Sequence, residues 1–254
     1  MSAQISFFKG SSDRKMMHPS MQSENYVLAA LPPNVYQQLI PHLKLVSLEQ
    51  GWRLYEPGDL IQEIYFPIDC LLSITLTMSD GATIETGMIG KREMLGLSAF
   101  MGSKTMQSAC MVQVSGSAIR ANAEVLQQEF NRNQELRDVF LRYTQAFLAQ
   151  VSQTAACNRL HLLEHRLARW LLEVQDRVDL NKLRLTHEFI ADMLGVRRAG
   201  VTQAAQKLQD NGIIRYKRCQ LQILAQHELE ASACECFRTI KDEYDRLLKR
   251  TGNS

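Results

Sequence analysis

The stretch from Thr186 to Gln206 reads THEFIADMLGVRRAGVTQAAQ and is the most informative part of the chain for its fold. Its apolar residues recur at helical spacing in two runs, one on each side of Gly195. Thr186 stands where a hydroxyl can cap the first helix, and Gly195 can adopt the positive φ of a sharp turn. Two short helices joined by a glycine-containing turn are typical of a helix-turn-helix.

The outward face of the second predicted helix is basic and polar, with no carboxylate before Asp210. Arginines and amides at the N-terminal end of a helix suit phosphate oxygens and base edges in a major groove. Residues 213–224 then alternate like two short strands, with Lys217 and Arg218 at the predicted tip. A basic hairpin in this place predicts a wing that contacts the DNA backbone.

Basic charge is concentrated in this part of the chain. Between His161 and Ala225 eleven Lys and Arg residues outnumber seven Asp and Glu residues, a net +4 in a chain whose total is +2. An ordinary solvated pair of helices would not need this excess, so we favour a DNA-binding winged helix-turn-helix.

Length and composition limit the remaining possibilities. The 254 residues suffice for two domains with cores of their own. No apolar run of about 18 residues and no signal-peptide core is present, which predicts a cytoplasmic protein without a membrane partner. Six scattered cysteines favour free thiols over a disulfide framework. The polar residues 1–24 predict a disordered tail.

From about Val46 to Ala123 the periodicity changes from 3.6 to 2, with turn residues between short runs. This pattern predicts an antiparallel barrel or jelly roll. One segment, Glu93 to Ala109, has helical spacing instead, and its polar loop could hold the anionic group of a ligand. The alternative, which we favour, is that its apolar residues plug the barrel: Met94, Leu95, Leu97 and Phe100.

A long helix is predicted after the barrel. Large residues step by three or four along it and form a stripe that resembles a coiled-coil seam. We interpret the stripe as a dimer interface, with burial against the barrel as the weaker alternative. The stripe comprises Leu136, Phe140, Tyr143, Phe147, Val151 and Thr154.

The order of these parts resembles the CRP/FNR family of bacterial transcription regulators. The residues that carry the resemblance are EPGD and IYFP within 56–67, RLARWLL at 166–172 and, most specifically, LTHEFIADMLGVRRAGVTQAAQKLQDNGII at 185–214. The family implies an α+β fold with an N-terminal cyclic-nucleotide-binding-like β-barrel (jelly roll), a long dimerisation helix and a C-terminal winged helix-turn-helix. It also implies a homodimer that binds a pseudo-palindromic operator, with recognition helices roughly 34 Å apart.

The resemblance divides the chain into five parts. They are a disordered tail at 1–24, an effector or sensor domain at 25–130, a dimerisation helix at 131–160, the DNA-binding domain at 161–227 and a C-terminal helical extension at 228–254. Within the extension we expect one helix from Leu229 to Leu248.

By resemblance, Thr186 and Arg197 would contact the DNA backbone and Arg198 would read guanine, a contact that discriminates by about 1–3 kcal/mol. Gln203 takes a second base-reading position. Ala199 and Gly200 depart from the catabolite activator, so a different half-site is expected. The candidate DNA-binding residues are Thr186, Arg197, Arg198, Thr202, Gln203, Lys207, Arg215, Lys217 and Arg218.

The barrel departs from the cyclic-AMP-binding members. Leu97 follows Gly96 where they have a glutamate, and Gln107 precedes Ser108 where they have an arginine. Without that arginine a cyclic phosphate loses its charge-assisted fork, so we predict that cyclic AMP is not the effector. Lys104 leaves another anion possible. The candidate pocket comprises Glu93, Gly96, Ser103, Lys104, Thr105, Gln107 and Ser108.

No cofactor, catalytic residue or metal site is identified from the sequence. The first cysteine is Cys70, and no three cysteines have the spacing of an iron–sulfur cluster. Cys234 and Cys236, two apart on the predicted C-terminal helix, would point in different directions, which disfavours a shared metal site. The expected partners are double-stranded DNA, a second copy of the chain, an unknown small-molecule effector and, for an activator, RNA polymerase.

Two alternatives stay open. A constitutive DNA binder with a degenerate sensor domain is the main rival. The remote one is a zinc peptidase, because His161-Leu162-Leu163-Glu164-His165 matches H-x-x-E-H and both histidines would share a face if they lay on one helix. The pattern is short enough to arise by chance, and we predict that the protein is not an enzyme.

Overall fold

The computed structural model describes residues 19–248. Residues 1–18 of the predicted disordered tail and residues 249–254 of the predicted extension lie outside the described residues. Within 19–248, no helix combines the length and the apolar character that a membrane crossing requires.

Residues 19–24, which the sequence assigned to the disordered tail, form a 3-10 helix (Pro19–Glu24). The reason is a set of side-chain hydrogen bonds that composition does not reveal. Gln22 Nε2 donates to the Leu31 carbonyl over 2.8 Å. The buried Asn25 amide donates to two barrel carbonyls at 2.9 Å each, and its oxygen caps the helix that follows. That part of the tail prediction is wrong.

Two short helices, α1 (Tyr26–Ala29) and α2 (Pro33–Leu39), and a 3-10 turn (Ile40–His42) lead into an antiparallel barrel of two sheets. The strands are β1 (Leu43–Leu48), β2 (Arg53–Tyr55), β3 (Glu63–Pro67), β4 (Leu71–Thr77), β5 (Thr83–Ile89), β6 (Ala109–Val114) and β7 (Gly116–Asn122). The sheet orders are β1-β7-β3 and β2-β6-β4-β5. Alternate residues of these strands fill one core, as the period of two predicts.

The helical interruption of the barrel contributes to this core. It contains a 3-10 helix (Leu97–Phe100), and Met94 and Leu95 before it are buried. The Phe100 ring lies 5.0 Å from that of Phe140, in an edge-to-face arrangement. These side chains therefore pack as the plug alternative predicts.

The long helix is present. α3 (Ala123–Arg132) is followed by α4 (Gln134–Leu160), a helix of 27 residues. Asn133 separates the two, because its side chain accepts a hydrogen bond from the Leu136 amide over 3.1 Å and so begins a new helix.

The next unit is the predicted winged helix-turn-helix. Its elements are α5 (Leu163–Val178), β8 (Lys182–Arg184), α6 (His187–Leu194), α7 (Arg198–Asp210), β9 (Ile214–Lys217) and β10 (Gln220–Ile223). The three strands form an antiparallel sheet in the order β8-β10-β9. A second core around Trp170, Val201 and Leu221 holds the unit together.

The C-terminal extension forms two helices, α8 (Gln226–Ser232) and α9 (Cys236–Leu248), so the single helix expected from Leu229 to Leu248 is wrong. The chain is extended at Ala233, with ψ of 156°. This break lets α9 turn back along α4. Arg142 of α4 donates to the Leu247 carbonyl over 3.1 Å, and Tyr244 is fully buried in the barrel core.

Candidate nucleic-acid interface

The helix-turn-helix is fixed by its own local chemistry. Thr186 Oγ1 accepts a hydrogen bond from the Phe189 amide over 3.0 Å and caps α6, as predicted. Gly195 ends α6 with φ of +61°, a conformation that favours glycine. A Cβ at this position would lie 2.7 Å from Ile84 Cδ1 of β5, so glycine also allows the turn to pack on the barrel.

The predicted DNA-binding residues share one property: every one of the nine is exposed. Arg197 and Arg198 lie at the N-terminal end of α7, where the helix dipole favours an anion such as phosphate. The opposite face of α7 packs in the core through Val201, Ala204, Ala205 and Leu208. The remaining exposed candidates on this helix are Thr202, Gln203 and Lys207.

Several of these side chains already have partners. Arg198 lies 3.8 Å from the carboxylate of Glu188, and both side chains are largely exposed. Lys207 is paired with Glu164, and this pairing lowers the pKa of that carboxyl. Exposed pairs of this kind are worth little, so DNA phosphates and base edges can replace them at small cost.

The wing is a two-residue hairpin between β9 and β10. Arg218 and Cys219 occupy its turn with φ of 51° and 62°, the two positive values of a type I′ turn. The turn therefore presents Lys217 and Arg218 at the tip, where the sequence predicted them. Tyr216 anchors the wing, because its hydroxyl donates to the Leu185 carbonyl over 2.7 Å.

His187 is a positioning residue that the sequence reasoning missed. Its ring stacks on Tyr216 with 4.3 Å between centroids, and its Nδ1 lies 3.0 Å from Thr202 Oγ1. Burial, with a smaller contribution from the Arg198 charge, lowers the pKa of His187. The imidazole thus connects the wing to the recognition helix. The only sequence signal was its position directly after the cap Thr186.

The unit from α5 to β10 carries the predicted DNA-binding residues and is called the DNA-binding unit below. It packs on the barrel through a buried polar contact. Trp170 Nε1 of α5 donates to Glu85 of β5 over 2.8 Å, and Ser73 of β4 donates to the same carboxylate. Ser73 Oγ also lies 3.2 Å from Met193 Sδ of α6. Burial raises the pKa of Glu85 to about 7.

Glu93 was predicted to line the effector pocket, and the structure places it elsewhere. Its carboxylate lies 2.9 Å from Arg177 of α5 and accepts a hydrogen bond from the Gly90 amide over 2.7 Å. Both side chains of the pair are buried. Glu93 therefore joins the barrel to the DNA-binding unit, and its assignment to a ligand pocket is wrong.

The other candidate pocket residues lie in the segment of the barrel between β5 and β6. Lys104 and Gln107 are exposed, and Ser103 Oγ lies 3.0 Å from Thr105 Oγ1. Gly96 has φ of +104°, and a Cβ there would lie 2.5 Å from Ile64 Cδ1. The positive φ therefore favours glycine at this position. Ser108 is half-buried. Their role in binding an effector stays a prediction.

The predicted dimer stripe is largely internal. Leu136, Phe140 and Tyr143 are buried within the single chain, so the prediction that they contact a partner is wrong. The weaker alternative, burial against the barrel, holds for them because the Tyr143 hydroxyl donates to the Met94 carbonyl over 2.7 Å. Phe147, Val151 and Thr154 are half-buried.

A different face of α4 is exposed and apolar. Leu141 and Leu148, seven residues apart, are 53% and 55% exposed. Ala155 continues the same heptad spacing and is also exposed. This face lies away from the barrel core.

The peptidase alternative fails on geometry. Because α4 ends at Leu160 and α5 begins at Leu163, His161 and His165 do not lie on one helix. His165 Nδ1 is 2.8 Å from the Ser232 carbonyl, and Glu164 is paired with Lys207. His161 instead faces three cysteines, Cys157, Cys234 and Cys236.

Comparisons with known proteins agree with this architecture. Residues 165–232 match the family model described as the Crp-like helix-turn-helix domain. FixK2 from Bradyrhizobium japonicum is similar in structure, with a TM-score of 0.65 at 16% identity over 76% of this chain and 98% of that one. A putative CRP/FNR regulator from Eubacterium rectale gives 0.64 at 18% identity, over 81% and 96%.

The c-di-GMP responsive global regulator CLP of Xanthomonas campestris gives a TM-score of 0.62 at 17% identity, over 76% and 99% of the two chains. No curated protein sequence matches significantly. The barrel, the long helix and the winged unit thus occur together in these solved structures, so the chain shares their fold. Residues 165–232 therefore form a Crp-like helix-turn-helix domain, and the chain as a whole has the fold of the CRP/FNR structures.

Proposed function

We propose that the protein is a transcription regulator of the CRP/FNR family. It binds a pseudo-palindromic operator as a homodimer and reads each half-site through Arg198 and Gln203. The observation that carries the proposal is the exposed face of α7, which begins with two arginines and continues with amides. Lys217 and Arg218 of the wing, with Thr186 and Arg197, contact phosphates. Base contacts supply specificity, and phosphate contacts supply register.

The dimer forms through α4. Its exposed face with Leu141, Leu148 and Ala155 at heptad spacing suits a coiled-coil seam with the same face of a second copy. The half-buried Phe147, Val151 and Thr154 lie beside this seam. Two recognition helices roughly 34 Å apart would then meet successive major grooves on one side of the DNA.

A signal in the barrel gates DNA binding by changing how the DNA-binding unit packs on the barrel. The buried contacts of Glu93 with Arg177 and of Glu85 with Trp170 support this route, because they join the two units directly. Cyclic AMP is not the effector, since Gln107 stands where the phosphate-binding arginine is expected. RNA polymerase is a further partner if the protein activates transcription. The rival function is a constitutive binder with a degenerate sensor.

The test is selection of bound sequences from a random pool of duplexes, with wild type and Arg198→Ala in parallel. We expect wild type to recover an inverted repeat, and the variant to lose preference at one base pair of each half-site by about 1–3 kcal/mol. An absence of salt-dependent binding to every duplex, with or without cyclic nucleotides, would contradict the proposal. Operator binding at full affinity without any metabolite would favour the constitutive rival.

A further inference from the structure

Three cysteines and one histidine meet where the DNA-binding unit joins the rest of the chain. Sulfur or ring-nitrogen atoms of Cys157, His161, Cys234 and Cys236 all lie within 4.8 Å of one another. Cys157 Sγ is 3.5 Å from Cys234 Sγ, and Cys236 Sγ is 3.5 Å from His161 Nδ1. We call these four residues the thiol–imidazole cluster.

Two separate segments of the chain form the cluster. Cys157 and His161, four residues apart, share one face at the C-terminal end of α4. Cys234 lies in the break between α8 and α9, and Cys236 is the first residue of α9. On one continuous helix the last two would point apart. The extended backbone at Ala233 brings both thiols to the same side.

The spacing of the donor atoms matches a single tetrahedral ion. Metal–sulfur bonds of about 2.3 Å give a tetrahedron with edges of about 3.8 Å. The two separations of 3.5 Å and the 4.8 Å limit bracket this value. A cluster with several irons would hold its ligands farther apart, because the irons and sulfides occupy the space between them.

We propose that the thiol–imidazole cluster binds one Zn²⁺, with Cys157, Cys234 and Cys236 as thiolate ligands and His161 as the fourth ligand through Nδ1. Four protein ligands leave no open position, so the site is structural and not catalytic. Each thiol releases its proton to solvent when the metal binds.

The surroundings of the cluster suit such a complex. His161 Nε2 lies 3.3 Å from the Glu235 carboxylate, which fixes the tautomer with Nδ1 free to bind metal. Gln153 Nε2 donates to Cys236 Sγ over 3.1 Å. Three thiolates and one Zn²⁺ carry a net charge of −1.

Buried Arg166 supplies the positive charge that balances this net charge, because Arg169 is already paired with Glu173 over 2.7 Å. Arg166 and Arg169 of α5 interact electrostatically with Cys157 and Cys234. Arg166 also donates to the Leu194 carbonyl at the end of α6, so the cluster is one side chain away from the helix-turn-helix.

Metal binding by the purified, reduced protein tests the proposal without any DNA. We expect one Zn²⁺ per chain by elemental analysis, and with Co²⁺ the thiolate charge-transfer absorption of a tetrahedral site. Cys234→Ser should weaken Zn²⁺ binding by at least about 100-fold and lower the Co²⁺ absorption by about a third. Glu235→Gln, which removes only the partner of His161, should weaken binding by about 10-fold.

Two controls replace residues of the same types outside the cluster. Cys219→Ser removes the exposed cysteine of the wing, and His165→Ala removes the neighbouring histidine; both should bind Zn²⁺ as wild type does. Circular dichroism checks that each variant is folded. If Cys234→Ser does not fold, His161→Cys tests the proposal instead, because a set of four cysteines also binds Zn²⁺. This variant should raise the Co²⁺ absorption by about a third.

Four results would overturn the proposal. They are the absence of binding by reduced protein at micromolar Zn²⁺, wild-type affinity in Cys234→Ser, iron and sulfide in place of zinc, and a Cys157–Cys234 disulfide in protein prepared under reducing conditions. Each is independent of operator binding. Failure of this proposal is therefore distinguishable from failure of the proposed function.

Discussion

Replacing Glu85 by glutamine should make the stability of the protein less dependent on pH. The carboxyl is 5% exposed between Ser73 and Trp170, and burial raises its pKa from the ordinary 4.5 to about 7. Glu173 and Arg169 of α5 act on it in opposite directions. A carboxyl whose pKa is higher in the folded state stabilises the fold fully below its unfolded pKa. That stabilisation is lost as the pH rises through the folded pKa.

The magnitude follows from the shift. At about 1.36 kcal/mol per pKa unit, a rise from 4.5 to about 7 corresponds to roughly 3 kcal/mol over the whole range. Between pH 5 and pH 8 the loss is roughly 2–3 kcal/mol. Glutamine avoids this loss, because its oxygen can accept from Trp170 and its amide can donate to Ser73 Oγ.

The assay is urea unfolding of wild type and Glu85→Gln at pH 5, 6, 7 and 8, with Glu49→Gln at an exposed position as the control. The free energy of unfolding of Glu85→Gln, relative to that of wild type, should rise by roughly 2–3 kcal/mol between pH 5 and pH 8. The control should run parallel to wild type. Parallel curves for both variants would refute the reasoning, since Glu85 would then ionise as it does in water.

Three further outcomes are expected. Arg177→Met should lower the free energy of unfolding by about 3–5 kcal/mol, because Glu93 is left buried without its partner. Adding Glu93→Gln should restore much of this free energy in the same urea assay. A double variant no more stable than Arg177→Met would contradict this explanation. Leu148→Glu should convert the dimer to a monomer in sedimentation, whereas Met78→Glu, equally apolar and 62% exposed on the barrel, should leave the mass unchanged. Lys217→Ala should reduce the slope of log affinity against log salt by about 1 without changing the selected operator; a changed operator would show that Lys217 reads bases.

Local signals in the sequence were sufficient for the DNA-binding unit. Thr186 caps α6 and Gly195 forms the turn after it, as predicted, because a cap and a turn each depend on only a few neighbouring residues. The alternation of the barrel strands likewise needs only local pattern. The same holds for the plug: Met94 and Leu95 belong to a segment that departs from the strand period of two, and both are buried in the barrel core.

Long-range contacts were not predictable from such patterns. A helical stripe shows which side of α4 is covered but not by what, so Phe140 and Tyr143 were assigned to a partner although the barrel covers them. Glu93 pairs with Arg177, 84 residues later in the chain. The break at Ala233 had no Gly or Pro to mark it, and the thiol–imidazole cluster depends on that break.

The return of α9 along α4 also limits how the DNA-binding unit can move. In mechanical terms, α5 to α8 form a module inserted into an antiparallel helical hairpin, since the chain enters after α4 and leaves before α9. Entry and exit lie side by side, because the sulfur atoms of Cys157 and Cys234 are 3.5 Å apart. Once its buried contacts with the barrel are broken, the module can rotate about this point, but it cannot move away from it unless α9 separates from α4.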